Sequence, residues 1–434
     1  MDFAESTQYL YSLGNEVSAM KLGLENIRKL LAALGNPQNS YLKIQIAGTN
    51  GKGSVCAFLD SICNTAGIRT GTFISPHLVS ITERIRINGR DISEENFAKH
   101  ATVVRETVER LLAKGDLEYL PTFFEQITAI ALVAFAEANV ELAILETGLG
   151  GRLDATTAAN AEIAAITKID LDHQEYLGDT LTEIALEKAA IIRSGSKVVA
   201  IHQSREAEQA IGGRCREMGV DPIWTPESIE IKNVPEILPA LYGSIKTSKN
   251  SYMGLEFWDM LGKHQFENAA IAIEVAELLN DYNFVISADR ISIGLMNARH
   301  PGRLEFIGNI LLDGAHNIGG TKALAAYLAE FEKRPITIIF GAMRGKDIAE
   351  IAKILFPMTA RIVLTEPSNS RALTCEELLK NLPDDMSRKN NFVSSSVANA
   401  IEIAKTVTPD DNIILVTGSL YLVGEVKKIL GSQI

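Results

Sequence analysis

The segment Gly48–Ser54, with the sequence GTNGKGS, constrains the fold of this 434-residue chain more than any other feature. It lies between a predicted strand, Leu42–Ala47, and a predicted helix, Val55–Ala66. Glycines allow a backbone to curl so that its N–H groups and the N-terminus of the following helix surround a phosphate. Lys52 adds a mobile positive charge, although an extra glycine separates it from Ser54, unlike in the pattern GxxxxGK[ST]. This succession predicts a phosphate-binding loop, with an ordinary glycine turn as the alternative.

Apolar runs alternate with helical patterns around this loop, as is typical of a parallel sheet with helices on both faces. Further strands of this series are predicted at Glu141–Leu145, Glu162–Ile169 and Lys197–Ile201, and helices at Ile127–Ala138, Leu181–Arg193, Phe266–Leu279 and Ala288–Asn297. The stretch 221–262 is less regular and contains several prolines, which favours an antiparallel excursion on a sheet edge.

A second series of strands begins near Arg303, after the turn signal His300-Pro301-Gly302. Its strands are predicted at Asn309–Leu312, Ile336–Phe340, Arg361–Leu364 and Asn412–Val416, with helical patterns between them. We therefore predict an α/β protein with two domains. The N-terminal one, residues 1–299, would be a P-loop-type domain with a mostly parallel sheet, and the smaller C-terminal one, residues 300–434, a Rossmann-like α/β domain.

Composition narrows the class of partner and the compartment. Hydrophobic residues make up 46% of the chain, which excludes a disordered chain. With 42 Lys and Arg against 54 Asp and Glu, the formal net charge is −12, which argues against general binding to nucleic acid or to an anionic membrane. The first residues lack a signal-peptide pattern, and we find no apolar run long enough to span a membrane, so we expect a cytoplasmic protein.

Polar side chains follow several of the predicted strands. Glu146 comes directly after the strand Glu141–Leu145, and Asp170–His173 follows the next strand along the chain. Asp313 and His316 follow a strand of the second series in the same way. Ligands bind at the carboxyl ends of strands in open parallel sheets, and carboxylates there suit a hard cation. Each cluster alone would be a solvated loop, but their shared placement with the phosphate loop favours a ligand site.

Other polar residues carry weaker signals. Ser75, in the sequence SPHL, would by itself indicate a turn, and Lys188, on a predicted helix, would by itself be a surface lysine. Asn268 and Arg303 flank the join between the two series of strands. None of these residues indicates a function by itself, and their interpretation depends on the motifs in the rest of the chain.

The motifs, taken in order, resemble those of the ATP-dependent Mur ligase superfamily. Within it, the chain is similar to folylpolyglutamate synthases and to bifunctional dihydrofolate synthase/folylpolyglutamate synthases. The resemblance runs from about Leu22 to Ser419 and rests on GTNGKGS, SPHL with ERIRING, ETGLGGRLDAT, DLDHQEYLG, EKAAIIR, HPGR and DGAHN. It implies that residues 1–299 are the central-type ATPase domain of a Mur ligase and that residues 300–434 are its C-terminal domain.

The resemblance implies an ATP site in the cleft between the domains, with two magnesium ions. Their ligands would be Ser75, Glu146 and His173, the last acting as a ligand rather than as a base. Lys188 matches the lysine that is carbamylated in many members, so Lys52, His173 and carbamylated Lys188 are the expected catalytic residues. The expected ATP contacts are Thr49, Asn50, Gly51, Lys52, Gly53, Ser54, Asn268, Arg303, Asp313 and His316.

The resemblance also implies a reaction in folate biosynthesis, carried out by a monomer. ATP would activate the carboxylate of dihydropteroate or a reduced folate as an acyl phosphate, which the amino group of L-glutamate would then attack. Either Phe123 or Phe124 could stack on the pterin ring, with core packing as the alternative for each. The expected substrate residues are Thr122, Phe123, Phe124, Glu125, Arg152, Leu153, Asp154 and Ala155.

Two departures from the family pattern leave its functional groups in place. In this chain, Ile318 replaces the proline of the usual DGAHNP, and Ala190 replaces the glycine of the usual EKAGI, so we expect an active enzyme.

Two other interpretations of the function stay open at this point. One is a Mur-type ligase that acts on a cell-wall nucleotide precursor. The other is a nucleotide-binding regulator without catalysis, and the joint retention of four residues counts against it: Lys52, Glu146, His173 and Lys188.

Overall fold

The structure is a computed structural model that contains two large sheets, each covered by helices, and a small third sheet. It describes residues 1–14, 23–226, 229–233, 241–381 and 391–431. Leu22, where the motif resemblance begins, lies outside the described residues, as do 227–228 and 234–240 of the irregular stretch. No helix in the described ranges combines the length and the apolar character that crossing a bilayer requires.

The larger sheet is mostly parallel, as the sequence predicted. Its described strands are β1 (Leu42–Ala47), β2 (Thr70–Phe73), β3 (Ile85–Ile87), β4 (Arg90–Asp91), β5 (Leu142–Glu146), β6 (Ile163–Ile166), β7 (Lys197–Ala200) and β8 (Pro222–Trp224). They lie in the order β4-β3-β2-β5-β1-β6-β7-β8. The strands from β2 to β8 in this order run parallel, and β3 and β4 add an antiparallel edge.

Helices bury both faces of this sheet. They are α1 (Phe3–Ser12), α2 (Glu25–Ala33), α3 (Lys52–Thr65), α4 (Glu94–Lys114), α5 (Phe123–Glu137), α6 (Gln174–Leu177), α7 (Leu181–Ala189), α8 (Arg205–Met218), α9 (His264–Leu279) and α10 (Ala288–Asn297). In β5, Leu142 and Ile144 join the core that includes α3 and α9, while Ala143 and Leu145 join the core that includes α4 and α5. Burial on both sides explains why this strand has a continuous apolar sequence.

The irregular stretch 221–262 corrects one expectation. Its first strand, β8, pairs in parallel with β7 at the edge of the larger sheet. Three strands that follow, β9 (Glu230–Asn233), β10 (Leu241–Lys246) and β11 (Ser251–Glu256), pair antiparallel in a separate sheet. The antiparallel part is therefore not an extension of the main sheet edge, and its apolar side chains, such as Ile245 and Tyr252, pack with those of α9.

The second large sheet has the predicted strands and two more. Its described strands are β12 (Glu305–Ile307), β13 (Ile310–Leu312), β14 (Ile336–Phe340), β15 (Arg361–Thr365), β16 (Asn391–Ser394) and β17 (Ile413–Thr417), in the order β12-β13-β17-β14-β15-β16. Its helices are α11 (Ile318–Phe331), α12 (Ile348–Leu355), α13 (Cys375–Leu379), α14 (Val397–Val407) and α15 (Leu420–Gly431). The strand β12, which is half-buried throughout, and the strand β16, which is buried only at Ser394, were not predicted. The domain boundary at residues 299 and 300 stays a prediction.

Close packing between α3 and α10 rests on a glycine. A Cβ atom at Gly294 would lie 2.4 Å from the Cα atom of Ile62, and the Ser61 hydroxyl donates to the Gly294 carbonyl oxygen over 2.6 Å. We expect Gly294→Ala to lower the free energy of unfolding by about 1–3 kcal/mol, because the helices must separate. Urea denaturation measures this loss.

The matched control is Gly213→Ala in α8, where the nearest atom to a Cβ would be Arg216 Nη2 at 3.8 Å. Alanine is the better helix former, so this variant should be as stable as the wild type or slightly more so. Equal stability of both variants would contradict the packing argument.

Candidate active site

The loop after β1 has the geometry expected of a phosphate site. The helix α3 begins at Lys52, three residues earlier than predicted, so its first turn includes Gly53 and Ser54. Gly51 has a φ of 93°, and a Cβ atom there would lie 2.2 Å from Asn268 Oδ1. Glycine at this position therefore permits the turn and allows Asn268 to lie directly against the loop.

The candidate nucleotide residues, which come from both halves of the chain, line one cavity of about 400 Å³ at the carboxyl ends of the strands. All the predicted ATP-binding, metal and catalytic residues are in its wall: Thr49, Asn50, Gly51, Lys52, Gly53, Ser54, Ser75, Glu146, His173, Lys188, Asn268, Arg303, Asp313 and His316. The structure therefore brings these predicted residues together in one cavity, and their individual roles stay predictions.

Glu146 provides a buried negative charge at the end of β5. One of its carboxylate oxygens accepts a hydrogen bond from the backbone N–H of Ser75 over 3.0 Å. Burial raises the pKa of Glu146, and the nearby charge of Lys52 partly offsets this shift. Within the described residues Glu146 forms no ion pair shorter than 4 Å. A carboxylate that is buried without a close counter-charge is suited to bind a cation.

Lys188 is a buried lysine and not a surface one. Its ammonium nitrogen donates to the Gly48 carbonyl oxygen over 2.9 Å, and Lys52 donates to the same oxygen over 3.0 Å. Burial, and then the charge of Lys52, lowers the pKa of Lys188 to about 7. The glycine loop after β5 supports the helix that carries it, because a Cβ atom at Gly151 would lie 2.9 Å from the Lys188 carbonyl oxygen.

His173 and Asp172 lie next to each other at the end of the loop that follows β6. Burial lowers the pKa of His173 to about 3, so the ring is neutral and able to act as a ligand. Burial alone would raise the pKa of Asp172, but the Lys346 ammonium, 2.5 Å from its Oδ1, holds that pKa below its usual range. Asn317 donates to the other Asp172 oxygen over 2.9 Å.

Asp172, Lys346 and Asn317 are functional candidates that the sequence analysis did not select. Asp172 lies in the quoted cluster Asp170–His173, while Lys346 and Asn317 belong to loops of the second sheet. Asn317 also donates to Asn50 Oδ1 over 3.0 Å. The signal that could have found them was their position after the predicted strands, but their pairing across the domains depends on the tertiary structure.

A second cavity, of about 180 Å³, adjoins the first. Ser75, His173 and His316 line both cavities. The predicted substrate residues in the wall of the second cavity are Thr122, Phe124, Glu125, Leu153, Asp154 and Ala155. The two cavities thus place a candidate acceptor site directly beside the candidate phosphate site.

Two of the predicted substrate residues lie outside this wall. Phe123 is buried, stacked on Tyr11 with ring centroids 5.9 Å apart and 5.2 Å from the Arg84 guanidinium. Arg152 points away and pairs with Glu187 over 2.9 Å. Phe123 and Arg152 therefore lie outside this cavity wall, and of the two aromatic rings only Phe124 lines it. A substrate contact of Phe123 or Arg152 stays a prediction.

Two acids in the wall hold the backbone around them. Asp154 accepts hydrogen bonds from the N–H groups of Gly148, Leu149 and Thr156 over 2.9–3.0 Å, and from the Thr156 hydroxyl. Glu125 and Thr122 cap each other's backbone at the start of α5. Both acids shape the cavity, but Asp154 uses most of its hydrogen-bonding capacity within its own loop, whereas Glu125 Oε1 is buried without a hydrogen-bond partner among the described residues.

Comparison with known proteins identifies the family. A model of the Mur ligase middle domain matches residues 46–276, more than half of the chain, and a model of the Mur ligase glutamate ligase domain matches residues 302–420. The chain belongs to the Mur ligase family. The resemblance found in the sequence is thereby confirmed.

Individual relatives place the chain more closely. It is 36% identical over 419 residues to the dihydrofolate synthase/folylpolyglutamate synthase of Bacillus subtilis (strain 168), covering 95% of each chain. It is 30% identical over 430 residues to the Escherichia coli (strain K12) protein of the same name, covering 98% of this chain and 94% of that one. Assignment to the ATP-dependent ligases of this group, made from the motifs, is therefore confirmed.

Solved structures agree with the fold. Mycobacterium tuberculosis folylpolyglutamate synthase complexed with ADP and AMPPCP is 30% identical, with a TM-score of 0.87, over 94% of this chain and 95% of that one. Escherichia coli FolC in complex with DHPP and ADP is 28% identical, with a TM-score of 0.86, over 100% of this chain and 98% of that one. The predicted α/β fold class is confirmed.

The lowered pKa of Lys188 predicts a pH-dependent stability. Between a folded-state pKa of about 7 and the ordinary value of 10.5, the unfolded chain binds more protons, so the free energy of unfolding rises with pH. Relative to Lys188→Met, the wild type should gain up to about 1.4 kcal/mol per pH unit between about pH 7.5 and 9.5. Urea denaturation in bicarbonate-free buffer measures this difference, and a constant difference would contradict it.

Proposed function

We propose that the chain joins L-glutamate to the carboxylate of dihydropteroate, a reduced folate or both, with conversion of ATP to ADP and phosphate. One observation supports this proposal most strongly. The cavity of the phosphate loop and the cavity lined by Phe124 share Ser75, His173 and His316 in their walls. A phosphoryl donor in the first cavity would thus face a carboxylate in the second.

The ATP site would occupy the larger cavity. Backbone N–H groups of Thr49–Ser54 and the N-terminus of α3 would surround the phosphates, with Lys52 as the mobile cation. Asn268, Arg303, Asp313 and His316 would complete the nucleotide site. Asp313 already accepts hydrogen bonds from the N–H groups of Leu304 and Ala315 over 3.0 and 2.9 Å, so it would also keep its own loop in position.

Two magnesium ions fit the chemistry of this cavity. No group of three or more His, Cys, Asp or Glu side chains in the described ranges would hold a metal alone. Magnesium usually keeps several waters and takes one or two carboxylates together with substrate phosphates. Glu146, the Ser75 hydroxyl and the neutral His173 imidazole are a donor set of that kind. Bound magnesium would neutralise charge on the phosphate oxygens.

Lys188 would act as a carbamate. The neutral Lys188 amine attacks carbon dioxide, an N–C bond forms as one C=O π bond opens, and a proton passes from the nitrogen to solvent, which leaves a carbamate anion. A pKa of about 7 provides the neutral amine at physiological pH. The product would add a carboxylate-like group to the cavity that Glu146 also lines, whereas an unmodified ammonium would repel the ions.

The reaction would proceed in two steps. A carboxylate oxygen of the pterin substrate attacks the γ-phosphorus, the bond to ADP breaks, and an acyl phosphate forms. Lys52 would stabilise the charge that develops on the transferring oxygens. The amino group of L-glutamate then attacks the acyl carbon, phosphate leaves, and the amine proton passes to solvent or phosphate. Closure of the two domains would exclude water from the acyl phosphate.

One cation suits a carboxylate of L-glutamate. Arg371 lines the acceptor cavity from the C-terminal domain and can pair with a carboxylate, whereas Lys346 in the same wall is already paired with Asp172. We propose a monomer as the active unit, as the family resemblance implies. We further propose a cytoplasmic location and no nucleic-acid partner, in keeping with the net charge of −12.

An acceptor panel tests the function. ADP release would be measured with dihydropteroate, tetrahydrofolate or a muramyl nucleotide, each with L-glutamate. We expect turnover with one or both pterin substrates and none with the muramyl nucleotide. Turnover with the muramyl nucleotide alone would contradict the proposal and indicate a cell-wall ligase.

Lys52→Ala should reduce the rate of ADP release by about 10²–10³-fold or more while the fold survives, because a charge contact in the transition state is lost.

Substitutions of Lys188 test the carbamate. Lys188→Ala should lose activity, and a short carboxylic acid such as acetate should partly restore it by occupying the vacated space. Lys188→Arg should stay inactive with or without acetate, since arginine keeps a positive charge and does not form a carbamate. Full activity of Lys188→Arg, measured as ADP release, would exclude this role.

A further inference from the structure

The loop that presents Ser75 contacts both domains. It runs over residues 75–80, and at its start the Ser75 N–H donates to Glu146 over 3.0 Å. In its middle, the Leu78 side chain packs against the apolar core of the C-terminal domain, close to Val423 and Gly302. The loop thus connects the proposed metal site directly to the second sheet.

Hydrogen bonds make this loop a firm connection. The Glu83 carboxylate accepts from the backbone N–H groups of Leu78, Val79 and Ser80, at 2.8, 2.9 and 2.8 Å. Three charge-assisted bonds to one carboxylate hold these residues as a unit. A displacement of Leu78 would therefore move residues 78–80 together, and Ser75 lies only three residues before Leu78 in the chain.

Gly424 of α15 lies directly against the Leu78 carbonyl group. A Cβ atom at Gly424 would lie 2.0 Å from the Leu78 oxygen and 2.8 Å from its carbonyl carbon, so a side chain there requires the backbone to move. Alanine forms helices better than glycine, so helix propensity does not explain this residue. The first turn of the same helix, with Leu420 and Tyr421, lines the acceptor cavity.

We propose that Gly424 and Leu78 form a joint through which the position of the C-terminal domain sets the position of Ser75 beside Glu146. Both are positioning residues, since neither lines the nucleotide cavity. The inference rests on the proposed function, in which Ser75 and Glu146 hold magnesium. Because α15 lines the acceptor cavity and contacts Leu78, one movement of this helix would adjust the acceptor wall and the metal-site loop together.

Hydrogen exchange of Gly424→Ala tests the joint without turnover. The backbone amides of Leu78, Val79 and Ser80 should exchange on the order of 10-fold faster than in the wild type, because the loop is displaced from α15. The matched control is Gly431→Ala at the end of the same helix, where nothing lies within 4 Å of a Cβ atom. Its loop amides should exchange at the wild-type rate.

Kinetics supply the second measurement. In Gly424→Ala, kcat should fall on the order of 10- to 100-fold, as expected for a small misplacement of a site group, and the magnesium concentration for half-maximal rate should rise. Gly431→Ala should match the wild type in both. A purely structural glycine would lower the melting temperature but leave loop exchange and magnesium dependence unchanged, and that result would overturn the proposal.

Leu78→Ala keeps the test decisive if Gly424→Ala does not fold. It removes only the side chain that packs on the C-terminal core, and it should speed exchange of the Val79 and Ser80 amides. Exchange of these amides at the wild-type rate in Leu78→Ala would overturn the proposal that Leu78 and Gly424 form a joint. A wild-type protein inactive with every acceptor would count against the proposed function alone, because the exchange measurement needs no turnover.

Discussion

The candidate site depends on the carbonyl oxygen of Gly48, on which two lysine side chains converge. Lys52 donates to it from the first turn of α3 over 3.0 Å, and Lys188 donates from α7 over 2.9 Å. Burial and the charge of Lys52 together keep the pKa of Lys188 near neutrality. The Gly48 carbonyl oxygen thus holds two different groups close together. Lys52 is a cation suited to phosphate, and Lys188 is an amine that is easily deprotonated. A Cβ atom at position 48 would lie 1.8 Å from Thr167 Oγ1, so only glycine allows this geometry.

Neither large sheet builds the site alone. The N-terminal sheet supplies the phosphate loop and Glu146, while the ion pair of Asp172 with Lys346 and the hydrogen bonds of Asn317 tie the C-terminal domain across the cleft. In the ion pair, Asp172 Oδ1 and Lys346 Nζ are 2.5 Å apart and little exposed. Buried charges of this kind are costly when separated, so the contact favours the closed arrangement in which the two cavities adjoin.

The sequence predicted strands with more success than it predicted contacts. Continuous apolar strands such as β14 (Ile336–Phe340) were placed correctly, because burial on both faces leaves a strong pattern. The half-exposed β16 (Asn391–Ser394) has no such pattern and was missed. The residues that the motifs selected for the nucleotide line one cavity in the structure. The motifs could not show, however, that Phe124 and not Phe123 lines the acceptor cavity. Adjacent residues on a helix point in different directions. Phe123 packs against Tyr11 and Arg84, away from the cavity that Phe124 lines, and this tertiary contact is not visible in the sequence.

Buried carboxylates that share a motif can still differ in what they do. Glu146 and Asp154 belong to the same run, ETGLGGRLDAT, and burial raises the pKa of each. Asp154 accepts from three backbone N–H groups and a hydroxyl within its own loop, so its charge is already stabilised. Among the bonds described for Glu146, one backbone N–H group, that of Ser75, donates to its carboxylate. The acid with the fewer partners has the capacity to bind a cation, and the one with more partners keeps the glycine loop folded around it.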